Sequence, residues 1–226
     1  MGPPNELHSR VRNDLFDPHE GFDRGRPSWF FGLWYLVKCA LFLSALPWPS
    51  GFKAFVLRRF GARVGRKVYF KPRINIHFPW NLSVGDHTWV GEEVCIINFA
   101  PVTIGAHCCL SQRSVLCSGN HDYRSVNMRY RHAPIVLEDG AWLGAGAFVG
   151  PGVTVGADAV ITAMSTATRS LDGGVVYAGQ PCKPVRRRWP EEPLPVQGAH
   201  SANACKCGCW STTTPATLTP PSSAAS

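Results

Sequence analysis

Between Val64 and Ile161 the chain returns to a large apolar residue on a beat of six. The beat falls at Val64, Phe70 and Ile76, then Val84, Val90 and Ile96, then Ile104, Leu110 and Leu116. After a gap it resumes at Leu137, Leu143, Val149, Val155 and Ile161, with Ala167 as a weaker last member. Within each group the step is six, and the first groups are separated by eight. A glycine often follows the beat residue (Gly65, Gly85, Gly91, Gly105, Gly144, Gly150, Gly156), and a small residue stands four after it (Thr88, Ser114, Ala141, Ala147, Ala159, Ser165). Neither the 3.6 period of a helix nor the 2.0 period of a strand accounts for this spacing. A coil with three short flat faces does, at one hexapeptide per face and about eighteen residues per turn. The large residue then fills the interior and the small one fits where faces converge, while glycine supplies unusual backbone angles at the corners. Successive coils stack as parallel strands about 4.8 Å apart. The expected fold is therefore all-β, a parallel β-helix of about five coils.

The repeat divides the 226 residues into three regions. Residues 61–190 form the β-helix. Residues 1–60 precede it, and of these 1–27 are polar and are expected to be loosely ordered. The stretch from Trp29 to Leu46 is apolar apart from Lys38 and stops at Pro47 and Pro49; "GFKAFVLRRFGA" then reads as a short basic amphipathic helix. At eighteen residues with a central lysine, Trp29–Leu46 is a poor bilayer span. Two readings stay open for residues 29–59: helices lying at a membrane headgroup interface, or helices packed on the main domain or a neighbouring subunit. Residues 191–226 lose the beat, fill with Pro, Ser, Thr and Ala, and read as a disordered tail.

Charge and cysteines narrow the function classes. The net charge of +8 suits an anionic partner, but no zinc-finger spacing, helix-turn-helix pattern or RNA-binding signature is present, so nucleic acid is not expected. Nine cysteines without framework spacing, and no signal-peptide pattern, point to a reducing cytoplasmic setting. Cys205, Cys207 and Cys209 alternate in the tail without a companion His pair or second Cys pair, and no metal is expected.

One interruption stands out. From Leu116 to Leu137 the step is 21 residues, so the excess, "SGNHDYRSVNMRYRHAP", must leave the coil as a loop. A long loop on a rigid scaffold is commonly functional. At its base stands His121, between Asn120 and Asp122.

The stretches "FGARVGRKVYFKP", "FPWNLSVGDHTWVGEEVCIIN", "VTIGAHCCLSQRSVLCSGNHDY" and "PGVTVGADAVI", with the aromatic-rich N-terminal segment and "FVLRRFGA", resemble the left-handed β-helix acyltransferases. In particular they resemble the colanic-acid-biosynthesis O-acetyltransferases, over about residues 20–190. The resemblance implies a left-handed coil, acetyl-CoA as co-substrate, and a homotrimer with sites between subunits. It implies a glycan or lipid-linked glycan acceptor, placing the enzyme in the cytoplasm and, for the lipid-linked case, at the inner membrane face. It also implies that His121 is the general base of a direct transfer and that Asn98 contacts the acceptor. Asp122 and Trp142 are further substrate-binding candidates. The cofactor positions implied are Ala145, Ala163, Thr168, Arg169, Lys183 and Arg186. Arg169 stands where a lysine is usual, which keeps the charge and changes its geometry. His132 reads as an exposed or substrate-contacting residue and Cys117 as structural; His77, His87 and His107 read as surface or subunit-contact residues. Two alternatives remain, a β-helical scaffold without activity and an acetyltransferase for a small soluble acceptor. A zinc carbonic anhydrase of the same fold is excluded, since no two histidines have the H-x4-H spacing.

Overall fold

The computed structural model describes residues 10–190, and the tail with Cys205, Cys207 and Cys209 lies outside them. Three parallel sheets wrap one core. The first face is built by Arg63–Val64, Leu82–Val84, Val102–Ile104, Ile135–Leu137 and Thr154–Val155. The second is Tyr69–Phe70, Trp89–Val90, Cys109–Leu110, Trp142–Leu143, Val160–Ile161 and Val175–Gly179. The third is Asn75–Ile76, Cys95–Ile97, Val115–Cys117, Phe148–Val149 and Thr166–Ala167. Neighbouring coils pair in parallel register, for example Leu82, Ser83 and Val84 against Val102, Thr103 and Ile104. This is the expected β-helix, with five complete coils and a sixth strand on the second face. Cys182–Arg187 folds back antiparallel to Val175–Gly179 and closes that end.

The beat residues fill the interior. All from Phe70 to Ala167 are buried, and each large one taken from water contributes ~1.5–3 kcal/mol. The small residues Thr88, Ser114, Ala141, Ala147, Ala159 and Ser165 are buried at the corners, as their spacing required.

The repeat glycines have a different reason from the one expected. Gly85, Gly105 and Gly144 do not sit at positive φ; the left-handed corner positions belong to residues such as Lys67 (φ 53), His87 (φ 59), His107 (φ 56) and Asp158 (φ 59). What the glycines supply is proximity. A Cβ on Gly85 would lie 2.4 Å from the Ala106 nitrogen of the next coil, and one on Gly144 would lie 2.5 Å from the Ala163 nitrogen.

The N-terminal helices, α1 (Ser28–Val37) and α2 (Ser50–Arg59), cap the first coil. An unpaired strand edge is a template for aggregation unless it is covered. Here one helical side chain or pair covers each face. Arg58 donates to the Val64 carbonyl on the first face at 2.8–2.9 Å. On the second, Ser50 Oγ accepts from the Phe70 N–H at 3.0 Å, and buried Lys53 donates to the Lys71 carbonyl at 2.8 Å. On the third, Trp34 Nε1 donates to the carbonyls of Ile76 and His77 at 3.2 and 3.1 Å. Burial lowers the pKa of Lys53 and of Lys38, which sits in a π-helical turn (Lys38–Phe42) directly after α1. The hydrophobic segment thus packs one face on the β-helix. Among the described residues no helix is long and apolar enough to cross a membrane.

Candidate active site

The extra residues of the repeat collect on one edge, between the third face and the first. Pro79–Asn81 turn there in the first coil, residues 98–101 in the second, and residues 118–134 leave from the third. Side chains tie these corners together. Asn98 Oδ1 accepts from the Phe78 N–H at 2.8 Å and Asn98 Nδ2 donates to the Phe78 carbonyl at 2.6 Å; one coil on, Ser118 Oγ accepts from the Ala100 N–H at 2.9 Å. Asn98 is completely buried. Its expected acceptor contact is therefore corrected: both ends of the amide are committed to backbone, and Asn98 shapes the floor beneath the loop.

The loop is a small hairpin. Its arms are joined by Ala133 N–H to Ser118 O (3.1 Å), Arg131 N–H to Asn120 O (2.8 Å) and Asp122 N–H to Arg129 O (2.8 Å), with His121 opposite Tyr130. This fold-back brings the Met128 carbonyl to 2.5 Å from His121 Nδ1. A carbonyl can only accept, so the proton sits on Nδ1, and Nε2 carries the free lone pair. Asp122 does not orient the imidazole. Its carboxylate accepts from the Arg124 N–H at 3.1 Å and pairs with Arg129 at 3.4 Å.

Residues 10–27, expected to be loosely ordered, cross this loop as a strap. Arg12 N–H donates to the Val126 carbonyl at 2.8 Å, and Asn127 donates to the Glu20 carboxylate at 2.8 Å. Phe16 lies 5.5 Å from the His121 ring and 5.0 Å from Tyr130. Phe22 joins Phe78, Phe99, Tyr130 and His132 in an aromatic cluster. Two aromatics in an otherwise polar stretch were the available signal for the strap. The Met128 carbonyl had none, because a backbone acceptor leaves no mark in a sequence.

His132 and His77 belong to the same cluster and stack on Phe99 at 4.9 Å. Burial, then the charge of His121, lowers the His132 pKa; burial, then Lys38 and Arg24, lowers that of His77 to about 4. Both pack within the cluster, where burial disfavours the charged imidazole. His77 and His132 are thus half-buried, whereas His87 and His107 are exposed and stack on each other at 5.1 Å along another edge. Strap and loop enclose a polar pocket of about 490 Å³ lined by Glu20, Gly21, Asp122, Arg129, Tyr130 and Arg131. The Cys117 thiol donates to the Gly119 carbonyl at 3.2 Å, and burial raises the pKa of Cys95 and Cys109 and pushes Cys108 up to about 11.

A second groove, of about 440 Å³, lies across the second face and reaches its edge with the third. Trp142, Ala145, Ala163 and Arg186 line it, joined by Ser111 and Arg188, which the sequence reading missed. Trp142 Nε1 donates to Ser111 Oγ at 3.0 Å, and Arg188 is pinned to the carbonyls of Gly140 and Asp158 at 2.9 and 3.0 Å. Thr168, Arg169 and Lys183 do not line it. The first two are exposed on the third-to-first edge, two coils beyond His121, and Lys183 is exposed on the closing strand. Within one chain, His121 and the Trp142–Ala163 groove therefore lie on different sides of the prism. Among the described residues no group of three His, Cys, Asp or Glu is placed to hold a metal.

Comparison with known proteins identifies the family. No family model matches the chain. The colanic acid biosynthesis acetyltransferase WcaF of Escherichia coli is 38% identical over 173 residues, which span 76% of this chain and 94% of that protein. A hexapeptide-repeat acetyltransferase of Vibrio cholerae, solved with acetyl coenzyme A, shares the fold at a TM-score of 0.63 and 24% identity, covering 70% of this chain and 86% of that one. A galactoside acetyltransferase solved with coenzyme A has a TM-score of 0.61 at 24% identity, covering 69% and 78%. Identity at the level of WcaF, over almost its full length, makes this chain a member of the hexapeptide-repeat acetyltransferase family.

Proposed function

We propose that the protein transfers an acetyl group from acetyl-CoA to a sugar hydroxyl during synthesis of a cell-surface polysaccharide, acting in the cytoplasm on the glycan or its lipid-linked precursor. His121 carries this reading: its Nδ1 is held by the Met128 carbonyl, which leaves Nε2 as the nitrogen with the lone pair, at the root of a loop whose following residue, Asp122, lines a polar pocket. The hydroxyl is a poor nucleophile until its proton is taken. Nε2 takes that proton as the oxygen attacks the thioester carbonyl, and the Met128 carbonyl steadies the imidazolium that results. The new C–O bond forms, the C–S bond breaks, and the imidazolium returns the proton to the departing thiolate. A backbone N–H serves the oxyanion, which needs a donor already in place. Tyr130 and the charged groups Glu20, Asp122, Arg129 and Arg131 give the acceptor pocket a ring face and several hydroxyl partners.

The groove beside Trp142 fits acetyl-CoA. Ala145 and Ala163 leave its wall open, backbone lies bare where Gly144 meets Ala163, and Arg186 supplies a cation for phosphate. That groove lies on another side of the prism from His121, so one chain holds two half-sites. A homotrimer joins them, each centre taking His121 from one subunit and the groove from the next.

The test is acetyl transfer from labelled acetyl-CoA to soluble and lipid-linked glycans, read as ester by mass spectrometry. His121→Ala is expected to lower kcat/KM by ~10²–10⁴ with the melting temperature unchanged. Full activity in that variant overturns the base assignment. Absence of both transfer and acetyl-CoA binding in the wild type overturns the enzymatic reading in favour of a scaffold.

A further inference from the structure

The capping helices have an outer face that the β-helix leaves uncovered. Trp29, Leu33 and Leu36 follow at i, i+4 and i+7 along α1, with Trp29 and Leu36 each 69% exposed. Phe52 and Phe55 stand exposed on α2, and Leu43 and Leu46 are exposed between the helices. A patch of this kind marks an interaction surface.

Charge follows the same end of the molecule. Between Asp23 and Asp86 lie eleven of the chain's 23 lysines and arginines and none of its 15 acidic residues. The remainder holds twelve cations against fifteen acids, so the positive net charge originates in this segment. Arg66 pairs with Asp86, Arg73 pairs with Glu92 and Glu93, and Lys38 and Lys53 are buried. Arg26, Arg59, Arg63 and Lys67 are exposed and have no carboxylate partner among the described residues. Two of them border the patch, Arg26 over the Phe30 ring and Arg59 over the Phe55 ring, each at 5.6 Å.

We infer that this end of the protein docks on an anionic lipid bilayer, with Trp29, Leu33, Leu36, Phe52 and Phe55 entering the headgroup boundary and Arg26, Arg59, Arg63 and Lys67 meeting lipid phosphates. The helices lie on the surface, since none is long enough to cross. A second copy is a poor occupant: a self-complementary contact would set this segment, which lacks any carboxylate, against its own like charges. In the proposed cyclic trimer the chains run parallel, so three such faces point the same way.

The full-length protein is tested by flotation with phosphatidylcholine vesicles, with and without phosphatidylglycerol. Binding is expected on the anionic vesicles, about tenfold or more weaker on the neutral ones, and weakened by salt. Leu36→Glu with Phe55→Glu is expected to abolish flotation, and Arg59→Glu with Arg63→Glu to reduce binding on anionic vesicles to the neutral level. Thermal melts and acetyl-CoA binding, read in parallel, are expected to be unchanged because these positions are exposed and away from both half-sites. The inference is overturned if the wild type stays with the bulk on anionic vesicles. It is also overturned if both double variants float like the wild type, or if Leu36→Glu with Phe55→Glu dissociates an oligomer while flotation persists. Loss of acetyl-CoA binding would bear on the proposed enzymatic function and leave the docking result standing.

Discussion

Three histidines within one aromatic cluster serve different ends, and the difference lies in what each nitrogen touches. His121 has its lone pair on Nε2 because a carbonyl holds its other nitrogen. His77 is held neutral by burial, with a pKa of about 4 against the ordinary 6.5. The unfolded chain therefore takes up a proton between those values that the folded chain refuses. The stability from this site is complete above pH 6.5, falls as pH drops toward 4, and levels off below. After discounting for partial exposure the loss is ~1–3 kcal/mol. Urea unfolding at pH 7 and pH 5 checks it: His77→Phe should lose less between the two than the wild type, and an equal loss assigns the effect elsewhere. Glycines in the repeat differ as sharply. Gly144→Ala puts a Cβ 2.5 Å from backbone nitrogen and is expected to cost ~2 kcal/mol or more, whereas at Gly150 the nearest atom is 3.4 Å away and alanine should cost under ~0.5 kcal/mol. Thermal melts of the two variants separate a packing requirement from a merely frequent residue.

At the scale of elements, the N-terminal helices are the end plate of a repeating stack. A solenoid of identical coils would end in three open strand edges. Arg58, Ser50 with Lys53, and Trp34 close them one face at a time. Lys53→Met fills similar volume but leaves the Lys71 carbonyl without its donor and the Phe70 carbonyl with only the Ser50 hydroxyl at 3.4 Å, so a loss of ~1–3 kcal/mol in equilibrium unfolding is expected. No loss would mean that water or another side chain replaces the ammonium. The strap over the loop is a second element with a positioning task, since Phe16 packs against the ring whose Nδ1 the Met128 carbonyl holds.

For the whole molecule, the two proposed half-sites stand on different sides of the prism. His121 leaves from the third-to-first edge, while Trp142 stands on the second face and Ala145 and Ala163 at its edge with the third. If neighbouring chains complete each other, two inactive variants should rescue one another. His121→Ala and Ala163→Trp, unfolded together and refolded as a mixture, are expected to regain about a quarter of wild-type activity or less, as random assembly of trimers allows. No recovery in a mixture shown to form mixed oligomers would mean that each chain holds a complete site.

The six-residue beat made the fold legible, because interior positions of a three-faced coil must be large and apolar at every face. The 21-residue step announced the loop and His121 with it, since an insertion breaks a rhythm that packing otherwise enforces. Other features depended on the folded chain. The Met128 carbonyl that sets the His121 tautomer is backbone and carries no side-chain signature. The burial of Asn98 follows from contact with a corner twenty residues away, and the strap from contacts made by two phenylalanines about a hundred residues from the loop they cover. The sequence by itself determined the coil and where it opens, because both are local and periodic. Only the tertiary structure decided which polar groups are spent on backbone and which stay free for chemistry, because that depends on what the stacked coils bring alongside them.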